Sequence, residues 1–88
     1  MAYKIIFEKP AVKFIKKLSG KNLLRVRKAI TELSNNPYDV SNVKKLKGYK
    51  NIYRKRVGDI RIIFRVRDSI LLIAIITIGY RGDVYRND

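Results

Sequence analysis

The 88-residue chain contains no cysteine and no histidine, and only seven of its residues are acidic. Without thiols there is neither a disulfide framework nor thiolate chemistry. Without imidazole, the usual proton shuttle and the commonest metal ligand are both missing. A Ser-His-Asp or Cys-His catalytic arrangement is therefore impossible. The acids are scattered, with no Asp-x-Asp or Glu-x-x-His pattern, so neither a metal nor a cofactor is expected. Long apolar runs are lacking too. The longest, residues 70–78, includes Thr77 and falls well short of the roughly 20 residues a spanning helix needs, so it reads as a buried strand. The N-terminal residues alternate apolar and charged positions, so no signal peptide is visible; a cytoplasmic location with no membrane partner is expected.

What the chain has is positive charge. Lysine and arginine number 21, for a net charge of +14. Such an imbalance repels itself in the free protein and favours an anionic partner: RNA, DNA, an anionic membrane or an acidic protein. Ten of these cations fall between Lys44 and Arg67, where Asp59 is the only acid. Residues 45–67 read KLKGYKNIYRKRVGDIRIIFRVR, with Arg54 and Arg56 before a Gly58-Asp59 turn and Arg61 and Arg65 after it. A period of two puts these arginines on a common face of each strand. With neighbouring strands about 5 Å apart, they can form a lattice of guanidinium groups suited to phosphates. A solvated outer sheet face produces the same pattern.

The chain reads as a single domain, residues 1–88, of the α+β class. Tyr3, Ile5 and Phe7 can share one face of a first strand. Pro10 suits a first helical turn, and Ala11, Phe14, Ile15 and Leu18 follow at helical offsets. Gly20 is able to close this helix, after which Leu23, Val26, Ile30 and Leu33 form the stripe of a second helix stopped by Asn35, Asn36 and Pro37. Residues 10–35 thus make an αα-hairpin whose outer cations, Lys16, Lys17, Arg25, Arg27 and Lys28, read as a solvated face. Residues 37–43 read as a loop. Strands are expected over 51–57, 60–66 and 70–78, the last covered on both faces and broken by Gly79, with a polar tail from Tyr80. The architecture is an N-terminal strand, an αα-hairpin and a three-stranded antiparallel meander, forming one sheet with the helices packed on one face.

Arginine, lysine and tyrosine remain as chemistry-bearing groups. They suffice for metal-free RNA cleavage, in which the substrate's own 2′-hydroxyl attacks the adjacent phosphate. The protein then has to hold that oxygen in line and neutralise charge growing on the phosphate. Arginines on rigid strands do both. Arginine is a poor proton acceptor, leaving that role to a lysine, a tyrosine or water. A second segment, residues 79–85 (GYRGDVY), delivers Arg81 and Tyr85 as the chain leaves the buried strand. Tyr85 can stack on a base or anchor the C-terminus on the core.

Taken together, the αα-hairpin, Leu46-Lys47-Gly48, the hairpin over residues 53–64 and the 79–85 segment resemble the RelE/ParE family of toxin–antitoxin toxins across essentially the whole chain. The resemblance implies a ribosome-dependent endoribonuclease that cuts mRNA in the aminoacyl site and is held inactive in a hetero-oligomer with a cognate antitoxin. Arg61 matches the family's phosphate-binding arginine, Arg81 the arginine near the leaving group, and Tyr85 the tyrosine that orients a base. Arg54 and Arg56 stand where the best-known RelE enzymes carry two lysines. Arginine there stabilises a phosphorane but accepts a proton more slowly. Lys55 should face the helices, its stem snorkelling outward. Lys44, Lys45, Lys47, Lys50 and Arg65 are expected to extend the RNA- and ribosome-binding surface. The same resemblance admits a ParE-like DNA gyrase poison acting by protein contact, or a weakly active or non-catalytic RNA-binding homologue.

Overall fold

A computed structural model describes residues 2–38 and 41–81. In chain order the elements are β1 (Lys4–Phe7), α1 (Lys9–Lys17), α2 (Gly20–Asn35), β2 (Val43–Lys45), β3 (Ile52–Val57), β4 (Ile60–Arg67), a single 3-10 turn (Asp68–Ile70) and β5 (Leu72–Tyr80). The five strands form one sheet in the order β1-β5-β4-β3-β2. Pairing is antiparallel from β2 to β5, whereas β1 lies parallel to β5, a connection that the intervening elements make possible.

Both helices pack on one face of this sheet. Ala11 of α1 and Val26, Ala29 and Leu33 of α2 are buried against Ile60, Ile62, Phe64 and Val66 of β4 and Ile73, Ile75 and Ile78 of β5. The helical offsets expected from sequence therefore select the right stripes. Burying side chains such as Phe64 or Leu33 stabilises the fold by about 1.5–3 kcal/mol each. The buried central position of β5, between β1 and β4, accounts for its apolar sequence. The helices cover only one of its faces, however, and Leu72, Ile76 and Thr77 are half-buried.

Several boundaries differ from expectation, each for a local reason. Leu18, with extended backbone, ends α1, while Gly20 with φ +57 opens α2 instead of closing the first helix. Gly79 does not break β5, because it stays paired with Arg61, and the strand continues to Tyr80. Tyr80 is no part of a polar tail: its ring meets Phe14 edge-on at 5.2 Å. The expected loop over 37–43 runs into β2 at Val43, a three-residue strand too short and too basic to show a period. Between Ile63 and Phe64 the β4–β5 register slips by one residue on the β5 side, a bulge that bends and twists the sheet. Among the described residues no helix is long and apolar enough to cross a membrane.

Lys55 faces the helices, as alternation requires, and is only 5% exposed. Its ammonium does not snorkel to water. The Nζ donates to the Ser41 carbonyl oxygen at 2.7 Å and lies 3.7 Å from a carboxylate oxygen of Glu32 on α2. The buried lysine thereby ties β3 to the second helix.

Candidate nucleic-acid interface

The face of the sheet away from the helices carries the cations. On β4 it bears Arg61, Ile63, Arg65 and Arg67, and on β3 it bears Ile52, Arg54 and Arg56. Register then decides which of them meet. Arg56 stands directly opposite Arg61, and Arg61 directly opposite Gly79, so one row across three strands holds two arginines and a position with no side chain. The next row holds Lys44, Arg54, Ile63 and Thr77.

Like charges directly opposed across a sheet are destabilising by roughly 0.2–1 kcal/mol, so the Arg56–Arg61 pair costs stability in the free protein. Arg61 is only 5% exposed. Its Nη1 donates to the carbonyl oxygens of Gly58, at 3.0 Å, and Ile60, at 3.4 Å, which fold the guanidinium back over the β3–β4 turn. Those carbonyls satisfy the buried charge with dipoles. The turn itself is a two-residue loop in which Gly58 takes φ +59, the positive value that a type II′ hairpin needs at its first central position.

Two further cations converge on this turn. The Arg81 N–H donates to the Asp59 carbonyl oxygen at 2.8 Å, which carries the chain past the end of β5 alongside the turn and leaves the Arg81 side chain exposed. Arg25 reaches it from α2, since a Cβ on Gly58 would lie 3.7 Å from Arg25 Nη1. Arg25, Arg56, Arg61 and Arg81 therefore surround one end of the hairpin, a concentration of donors suited to an anion with several oxygens.

Residues 5–85 match the family of ParE toxins of type II toxin–antitoxin systems, encoded by parDE. The chain belongs to that toxin family. Its relatives place it on the RelE-like side of the RelE/ParE superfamily. Toxin RelE3 of Methanocaldococcus jannaschii is 38% identical over 72 residues, which are 78% of this chain and 82% of that protein. A chain of the archaeal RelE–RelB complex from Pyrococcus horikoshii OT3 superposes with a TM-score of 0.81 at 29% identity, covering 93% of this chain and 98% of that one. A chain of the RelB–RelE antitoxin–toxin complex from Methanococcus jannaschii superposes with a TM-score of 0.75 at 31% identity, covering 92% and 95%.

The toxin fold gathers some of the residues singled out from sequence and separates others. Arg54, Arg56 and Arg61 share the open face in adjacent rows, and Arg81 joins them at the turn. Tyr85 lies outside the described residues. Arg65 is on the same face but four residues along β4 from Arg61, about 13 Å away. Lys44 and Lys45 part company. Lys44 pairs with Arg54 on the open face, whereas Lys45 pairs with Tyr53, whose ring belongs to the helix side. Lys47 and Lys50 are exposed on the loop between β2 and β3. Two further participants carry no local signal in the sequence: Gly79, whose residue type suggests a strand breaker, and Arg25, which sits among the outward cations of α2.

Proposed function

We infer that this toxin cleaves mRNA in the aminoacyl site of the ribosome without a metal, using the RNA 2′-hydroxyl as nucleophile. The observation that supports the reading is the row in which Arg56 and Arg61 stand opposed, Arg61 being paired in turn with the side-chain-free Gly79, with Arg81 at the adjoining turn. A phosphate seated there gains charge-assisted hydrogen bonds from several guanidinium forks. These strengthen as negative charge builds on the phosphorane. In this scheme Arg56 and Arg61 hold the phosphate, Arg54 and Lys44 grip its neighbour, Arg81 faces the leaving oxygen, and Tyr85 positions a base. Seating the phosphate requires Arg61 to exchange its turn carbonyls for phosphate oxygens. Ligand binding also offsets the repulsion between Arg56 and Arg61.

A cognate antitoxin in a hetero-oligomer follows from the same reading. The net charge of +14 calls for an acidic partner. The structural relatives from Pyrococcus horikoshii and Methanococcus jannaschii are toxin–antitoxin complexes. The proposed site of action is the cytoplasm, where ribosomes translate.

The match to ParE toxins motivates a second reading, a DNA gyrase poison acting by protein contact. One experiment separates them. Purified toxin is added to translating ribosomes and the mRNA ends are mapped, and in parallel to gyrase with supercoiled plasmid. Cuts confined to the aminoacyl-site codon support the ribosomal reading. Intact mRNA with accumulating plasmid breaks overturns it.

A further inference from the structure

A cleft of about 710 Å³ opens at the far end of β3 and β4 from the arginine row, between residues 48–52 and 65–69. Its cations are Lys50, Arg65 and Arg67, and none lies within ion-pair distance of an acid among the described residues. Its one acid, Asp68, has both carboxylate oxygens engaged, one by the Tyr3 hydroxyl at 2.6 Å and the other by the Tyr38 hydroxyl at 2.7 Å. The wall therefore presents three cations against a single acid that is already hydrogen-bonded.

Tyr49 stands at the rim of this cleft, 44% exposed, and also borders a second hollow of about 480 Å³ formed by residues 45–50. An aromatic ring left this open offers a surface to a flat ligand. The loop that carries it is ordered. Gly48 with φ +82 and Asn51 with φ +61 bracket Tyr49 and Lys50, while Leu46 N–H donates to the Ile52 carbonyl at 2.9 Å and Val66 N–H to the Asn51 carbonyl at 3.0 Å. A loop closed in this way loses little backbone freedom when its ring is engaged. Arg61, Arg65 and Arg67 occupy the same face of β4, so the cleft begins at Arg65, about 13 Å from the arginine row, along a track in which Ile63 intervenes on β4 with Arg54 beside it on β3.

Exposed aromatics beside a cationic groove are the means by which proteins hold single strands without reading their sequence. We propose that the cleft is a second subsite for single-stranded RNA, with a base stacked on Tyr49 and phosphates held by Lys50, Arg65 and Arg67, several nucleotides from the bond that is cut. The proposal rests on the RNA reading of the arginine row.

The test measures binding of full-length toxin to a nine-nucleotide RNA made uncleavable by 2′-O-methylation, and to a nine-unit abasic strand of equal charge. Tyr49→Ala weakens binding to the RNA about tenfold, from the worth of one stacked base, and leaves the abasic strand unaffected. Tyr49→Phe keeps wild-type affinity for both. Lys50→Ala combined with Arg67→Ala reduces the slope of log affinity against log salt by about 1.4. Equal losses on both strands, or no loss on the RNA, overturn the subsite. Failure of the cleavage reading is separate: uncut ribosomal mRNA with these binding effects intact removes the reaction and keeps the cleft. Cleavage without these effects removes the cleft alone.

Discussion

The two faces of one sheet are built on opposite principles, although the same strands supply both. The face under the helices is closed, with Phe64, Ile62, Ile73, Ile75, Leu33 and Val26 fully buried. The buried charge on this face among the described residues, Lys55, has a carbonyl partner and an acid nearby. The open face sets Arg56 against Arg61 and lines up Arg65 and Arg67 behind them, with no compensating acid within ion-pair distance of these four among the described residues. One face maximises stability. The other tolerates a local loss of stability in order to concentrate charge, which is the pattern expected where a ligand completes the electrostatics.

The largest effect that sharpens this contrast should come from the closed face. Phe64→Ala removes a fully buried ring that stacks on Tyr53 at 5.8 Å. It is expected to cost about 3–5 kcal/mol, read as a lower denaturation midpoint in urea. A cost under about 1 kcal/mol would mean that the core is not where the geometry puts it.

On the open face the balance should reverse. Arg61→Ala and Arg81→Ala are each expected to reduce mRNA cleavage on ribosomes about 100- to 1,000-fold, as removal of a transition-state donor does elsewhere. Unfolding free energy should shift by no more than about 1 kcal/mol, since the loss of a turn hydrogen bond is partly offset by relief of repulsion. Wild-type cleavage by both variants would erase the distinction between the faces.

Lys55 tests the comparison from within. Glu32→Ala should cost about 1–2 kcal/mol by leaving the buried ammonium, among the described residues, with the Ser41 carbonyl alone, whereas Lys55→Met should be nearly neutral because it removes the charge as well. If Lys55→Met also abolished cleavage while melting normally, Lys55 would belong to the chemistry and not to the core.

The smallest effect concerns Asp68. Hydrogen bonds from Tyr3 and then Tyr38 hold its carboxyl below the usual 3.8, outweighing its slight desolvation. A depressed carboxylate contributes stability that is present above the unfolded value and lost as pH falls through the folded one. Acid titration of wild type should therefore show a component below pH 3.8 that is missing from Asp68→Asn. Superimposable acid limbs would show that the tyrosine clamp has no energetic weight.

Much of the fold is legible in the chain because periodicity reports burial directly. The stripes through Ala11, Phe14 and Ile15 and through Val26 and Leu33 mark the helix faces that the core uses. The alternation of Arg54, Arg56, Arg61 and Arg65 marks the open face. The legible part stops where partners come from distant segments. Val43 and its neighbours make a strand only because β3 is there to pair with, and Gly79 remains in β5 because Arg61 sits across from it. Alternation could assign Lys55 to the helix side, but nothing near it in sequence reveals Glu32 or Ser41 as its partners.

By itself the sequence determined the charge, the absence of thiol and imidazole chemistry, and the face on which each strand residue lies, because these depend on residue identity and on a backbone period that is local. Only the tertiary structure decided the rest. The pairing of Arg61 with Gly79, the arrival of Arg25 and Arg81 at one turn, and the placing of Tyr49 beside a basic cleft all depend on contacts between distant segments. Such contacts are selected by the packing of the whole core, which no short stretch of chain encodes.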